Sequence, residues 1–225
     1  MNFIKNNLKV NVFSPFKYRD FTYLWLGGVT AGMAMSMKIL ISTQWLYDET
    51  GSSIIVGLLG IAQLIQMPVV IYGGVMADVS DRKKLMVYTQ LVSFLLLLFL
   101  GILAQGERLM PWHVFGVIVI TGITNMLGNS SRPAMLPRVI PKQYITEAIG
   151  LSSASFQISS IIAPLIFWKS FEYLGPAGAF YVAASIAFIS VFSPFMINAS
   201  GESKETNKEK PINSIKEGYK FISTH

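Results

Sequence analysis

The chain has 225 residues, 52% of them hydrophobic and only 13% charged, with a formal net charge of +6 and a mean hydropathy of +0.50. So little polar surface cannot wet a soluble domain of this size, and lipid is the expected solvent. The absence of cysteine excludes a disulfide framework and thiolate metal or redox sites. The basic residues fall in short clusters between apolar runs rather than along one polar stripe, which speaks against a nucleic-acid partner.

The opening segment, residues 1–20, carries Lys5, Lys9, Lys17 and Arg19, and no apolar run ending in a small-residue cleavage site follows at leader-peptide length. The first helix is therefore expected to be retained. A helix needs about 20 apolar residues to cross a hydrocarbon core of about 30 Å. Six stretches qualify, near Phe21 to Trp45, Ser53 to Ala77, Leu85 to Ala104, Pro111 to Ser131, Ala148 to Trp168 and Pro176 to Ile197. The expected fold is an all-α membrane protein, a six-transmembrane-helix bundle over residues 21–197, with a polar linker and the start of an amphipathic helix over 198–225.

Alternating the connections between two sides places the N-terminal segment, Val79 to Lys84, Arg132 to Glu147 and the tail after Asn198 together. These hold 15 of the 18 Lys and Arg. By the positive-inside rule that side is the cytoplasm, and both termini lie there. A span count wrong by one would scatter this asymmetry.

Small residues mark faces where helices approach closely: Gly28 and Gly32 in the first span, Gly57 and Gly60 in the second, and Ser152, Ser155, Ser159 and Ala163 in the fifth. Pro68 and Pro164 fall at similar depths in the second and fifth spans, the pattern of two inverted three-helix repeats.

The second span ends in Gly73-Gly74-Val75-Met76-Ala77-Asp78-Val79-Ser80-Asp81-Arg82-Lys83-Lys84, which sets glycines, a carboxylate and three consecutive cations at a helix end. Gly74 permits close backbone contact, and Asp78 stands where it can accept from Arg82 or face a helix N-terminus. This segment resembles the loop between the second and third helices of the major facilitator superfamily. Arg19-Asp20-Phe21 before Leu24-Trp25-Leu26-Gly27, Gln44-Trp45-Leu46-Tyr47 before Thr50-Gly51-Ser52, and Arg132-Pro133-Ala134-Met135-Leu136-Pro137 before Ala148 are similar to its bacterial siderophore-exporter and macrolide-efflux branch. The chain departs from the family pattern at Val79, where a basic residue is common, and at Asp81, where a glycine is common. In the fifth span, Ala163-Pro164-Leu165-Ile166-Phe167-Trp168 retains the proline of the antiporter motif without its glycines.

The resemblance implies the N-terminal six-helix half of a secondary active transporter, an efflux permease for a small amphipathic organic compound working by alternating access. Its implied partners are the substrate, the lipid bilayer, a coupling ion such as H+, and a second six-helix half or a second copy of the chain. It also implies a gating motif of Gly74, Asp78, Arg82 and Lys83. A six-helix fragment or subunit that transports nothing without a separate partner half is the alternative reading.

Lys38 is the one formal charge within a span, where a cation costs about 2.5 to 3.5 kcal/mol on insertion scales. Either its stem snorkels to the outer interface, about 10 Å along the helix, or its amine serves in a cavity as counter-ion to an anionic substrate. Gln63, Asn125 and Gln157 lie near mid-span, where they line a substrate path or bond between helices. Arg132 is expected to position the cytoplasmic loop or meet lipid phosphate, and Trp25, Trp45, Trp112 and Trp168 to anchor the bundle at the interfaces. Paired acids and histidine clusters are absent from the spans, and no Gly-x-x-x-x-Gly-Lys-Ser/Thr loop occurs in the sequence. The expectation is a protein that is not an enzyme and carries no cofactor or metal.

Overall fold

The computed structural model describes residues 12–64 and 81–201, and the side chains of Leu127, Asn129 and Ser130 stand apart from that description. Gly74, Asp78 and Pro68 lie outside the described residues. Every regular element among the described residues is helical.

A 3-10 turn, Ser14–Lys17, leads into α1, Arg19–Thr50, which Gly51 ends with φ of 62° and its N–H donated to Tyr47 O at 2.8 Å. A left-handed glycine is the usual way to close the last turn of a helix. Next come α2, Ser53–Leu64, and α3, Arg82–Gln105. Asp81 caps α3, its Oδ1 accepting from the N–H groups of Lys83 at 2.9 Å and Lys84 at 3.3 Å. The acid that departs from the family pattern thus satisfies two donors that a glycine would leave open. Pro111, preset for a first turn, opens α4, Pro111–Val139.

A second 3-10 turn, Lys142–Tyr144, precedes a helical run, Ile145–Phe195, broken at Gly175 where φ is 67° and ψ is −173°. The limb before Gly175, residues 145–174, is called α5, and the limb after it, residues 176–195, α6. The two limbs fold back on each other. Leu151 near the start of α5 accepts from Trp25, and Ser193 near the end of α6 donates to Tyr23 O, two positions away on α1. The whole run has 51 residues, more than twice what one span requires.

α1, α3, α4 and this last run are long and apolar enough to cross a membrane. α2 is the described part of the second expected span. Ile61, Trp112, Ile161, Leu165 and Trp168 are exposed on helix surfaces, as outward faces solvated by lipid tails would be. The larger buried cluster joins Met37, Ile41 and Leu46 of α1 to Leu97 and Leu100 of α3, Val114 of α4 and Phe180 of α6. A second cluster, around Phe21, Leu24, Met86, Met135 and Ile197, closes one end.

The segments that alternation assigns to one side do meet at that end. Asp20 Oδ2 accepts the N–H groups of Asn198 at 3.0 Å and Ala199 at 2.9 Å. Arg82 N–H donates to Gly201 O at 3.0 Å. Asp20 is half-buried, and a hydrogen bond to a charged acceptor is worth about 1.5 to 3 kcal/mol, so Asp20→Ala is expected to speed amide hydrogen exchange at Asn198 and Ala199 by more than tenfold. Exchange read by mass spectrometry tests this, and unchanged protection would show that the bonds do not hold the segment.

Three expectations are corrected. The fourth span runs on to Val139 rather than ending at Ser131, so Arg132 stands on a helix and not in a loop. Trp45 is buried in the bundle core and Trp25 is half-buried under Leu151, so only Trp112 and Trp168 have the exposure of interfacial anchors. The tightest glycine contact on α1 is at Gly27 rather than Gly28: a Cβ at Gly27 would lie 2.1 Å from Ser193 Oγ, whereas at Gly28 the nearest atom is Arg132 Nη1 at 3.4 Å. Gly32 does face a small partner, with Ser159 Oγ 2.8 Å from its would-be Cβ.

Candidate functional site

A cavity of about 200 Å³ opens between α1, α3, α4 and α5. Leu24, Trp25, Met35, Leu136 and Phe156 give it apolar walls, and Gln90, Asn125, Arg132, Ser152 and Ser155 supply the polar groups. The small residues of α1 make room for it. Gly28, Ala31 and Gly32 face the space along one stripe of the helix, at the three- and four-residue spacing that keeps side chains on one face. Apolar walls with a few convergent polar groups are the usual make-up of a small-molecule site.

A narrower recess shares Ala31, Met35, Gln90 and Asn125 with this cavity and continues to Lys38, Ser93 and Leu97. Lys38 is 4% exposed, and its ammonium donates to Thr121 Oγ1 of α4. The side chain therefore turns into the bundle and does not snorkel. Thr121 passes its own proton to Val117 O at 2.6 Å. Beside Lys38 in the recess, Ser93 Oγ is buried with no hydrogen-bond partner among the described residues, and Gln90 Oε1 accepts from Ser190 Oγ of α6 at 2.8 Å.

At the basic end of the bundle, cations donate to backbone carbonyls of neighbouring elements. Arg132 Nη1 reaches Leu24 O at 3.1 Å and its Nη2 reaches Gly27 O at 3.0 Å, so one guanidinium fork bridges α4 to two turns of α1. Arg82 Nη1 donates to Ala134 O at 3.0 Å and Lys83 Nζ to Ile197 O at 2.5 Å. Arg138 Nη1 donates to Ser200 O at 2.9 Å. Ile197 O lies just past the end of α6, where carbonyls lack intrahelical donors, whereas Leu24 O and Gly27 O lie in the first turns of α1 and take the guanidinium as an additional donor. Of the four residues expected to form a gating motif, Arg82 and Lys83 join α3 to the last turns of α4 and the end of α6, while Gly74 and Asp78 lie outside the described residues.

Residues 10–225 match the family described as transmembrane secretion effector. The chain belongs to that family, a branch of the major facilitator superfamily. Among curated relatives, macrolide efflux protein A of Streptococcus pyogenes is 26% identical over 158 residues, 68% of this chain and 38% of that protein. Macrolide efflux protein A of Enterococcus faecalis is 29% identical over 103 residues, 44% of this chain and 32% of that protein. The chain thus spans well under half the length of the relatives it matches.

Of the polar residues expected along a path in this transporter family, the structure brings Lys38 and Asn125 to one cavity and adds Arg132. It leaves Gln63 and Gln157 exposed, on α2 and α5, away from the cavity. The sequence reading missed Gln90 and Thr121. Gln90 sits near the start of the third span, and a rule that selects polar residues by mid-span depth passes over it. Thr121 carries no signal at all, because a threonine in a membrane helix commonly satisfies itself on the preceding turn.

Proposed function

We propose that this chain forms the N-terminal six-helix bundle of an efflux permease, which moves a small amphipathic organic compound of drug, macrolide or siderophore type by alternating access. The observation that carries this reading is the cavity between α1, α3, α4 and α5, open enough for an organic ligand and tied off at the basic end by Arg132, Arg82 and Lys83. In this reading the basic end is cytoplasmic, as the distribution of Lys and Arg suggests. Closure there is the outward-facing state. Return to the inward-facing state requires the carbonyl contacts of the cations to be exchanged, and a second six-helix half supplies the opposing wall. A proton gradient is the proposed energy source.

The test is flux. Full-length protein in proteoliposomes is expected to move fluorescent amphipathic compounds, offered as a neutral, anionic and cationic panel, only under an imposed proton gradient. Gradient-independent leakage alone, with the helices correctly inserted, would refute secondary transport by this protein. Asp78→Asn is expected to lower flux at least tenfold while leaving insertion intact. Wild-type flux in that variant would remove Asp78 from the gate.

A further inference from the structure

We infer that the recess at Lys38 takes the anionic group of the bound compound, so that the ligand is an amphipathic organic anion, most simply a carboxylate. This rests on the transport reading and adds to it the charge of what is carried.

Among the described residues, the recess at Lys38 holds more donors than engaged acceptors. Lys38 brings three N–H groups into a buried site, and among the described residues its one partner is the Thr121 hydroxyl. Ser93 Oγ, buried at the same recess, has none. Gln90 has committed its carbonyl oxygen to Ser190, which leaves its amide nitrogen to donate. Among the described residues no Asp or Glu lines either the cavity or the recess, whereas both cations of the region, Lys38 and Arg132, do. The guanidinium of Arg132 is already engaged with two carbonyls, and the ammonium of Lys38 is the underused charge.

A cation buried in a membrane bundle, with no acid beside it among the described residues, marks a functional site by default. The recess holds about 10 Å³, room for one water-sized group, which suits a single carboxylate oxygen entering from the wider cavity. The apolar body of the ligand would then lie along Trp25, Met35 and Phe156. A lipophilic cation in the same place would meet a buried ammonium and no acid.

The test is equilibrium binding to purified full-length protein in detergent, followed by energy transfer from tryptophan to a dansyl-labelled alkyl carboxylic acid. Its methyl ester and the amine of equal length are the comparison probes. The acid is expected to bind at least tenfold more tightly than the ester, and the amine more weakly than either. Lys38→Met is expected to bring the acid down to the ester's affinity, and Lys38→Arg to keep most of the preference. Thr121→Val leaves the cation in place and removes its competing acceptor, so it is expected to preserve or raise the preference even where Lys38→Met fails to fold.

Equal binding of acid and ester by the wild type, or an undiminished preference in folded Lys38→Met, would overturn the inference. Binding and flux separate the two readings. Movement of a neutral compound without any acid preference refutes the anion site alone. A bound acid, with no member of the panel moved, refutes transport alone.

Discussion

Gly27→Leu is expected to be the most damaging single substitution on the first helix. The first side-chain carbon would sit 2.1 Å from Ser193 Oγ and 2.5 Å from Ser193 Cβ, far inside van der Waals contact. Ser193 cannot simply swing away, because its hydroxyl donates to Tyr23 O at 2.5 Å. Relief therefore has to come from separating α1 and α6 along their length. Overpacking typically costs about 1 to 3 kcal/mol and sometimes more, and a leucine at so close a crossing belongs at the upper end. Thermal unfolding in detergent measures this. Gly28→Ala, one position away with its nearest neighbour at 3.4 Å, is the matched control and should cost under about 1 kcal/mol. The decisive comparison is the pair Gly27→Ala and Ser193→Gly: removing the Ser193 side chain should restore most of what the added methyl costs. Additive losses in the double variant would mean that the crossing is looser than the structure has it.

Arg132→Met should have the largest effect on transport. It deletes two charge-assisted hydrogen bonds, to Leu24 O and Gly27 O, each worth about 1.5 to 3 kcal/mol, and with them the tie between α4 and α1 at the basic end. Part of that is regained because the carbonyls are on a helix and keep their intrahelical donors, so a net destabilisation of about 2 kcal/mol is expected. Transport should fall at least tenfold, because the closed state of the basic end loses its cross-link. Arg132→Lys keeps the charge but not the fork, and a point cation reaches one carbonyl at a time. Its flux should lie between wild type and Arg132→Met. If Arg132→Lys matches wild type, charge alone is what this position supplies.

The long apolar helices were legible because they depend on short-range quantities, run length and local hydropathy. Gly51 and Pro111 mark helix ends by backbone chemistry that any reader of the sequence can apply. The pairings were not legible. Lys38 finds Thr121 on another helix, and Gln90 finds Ser190 across a separation of 100 residues, and no periodicity encodes which two helix faces meet. The same limit governs the glycines. Gly27 and Gly28 are equivalent as letters, and only the crossing of α1 over α6 makes one indispensable and the other nearly free. Arg132 was misplaced for a related reason: Pro133 and Pro137 argue for a helix end, yet the helix continues through both to Val139. Each proline removes one intrahelical donor, and the remaining bonds carry the helix on to its end.

The single-residue turn at Gly175 also governs how the bundle can move. A connection that short holds no slack, so α5 and α6 cannot slide past one another by a helical turn. Any displacement of α6 against α1 at Ser193 must carry α5 with it, including the Ser159 hydroxyl that donates to Val29 O at 2.8 Å. The two helices are therefore a stiff lever pivoted on α1, and the cavity wall that Ser152, Ser155 and Phe156 provide travels with that lever as one piece.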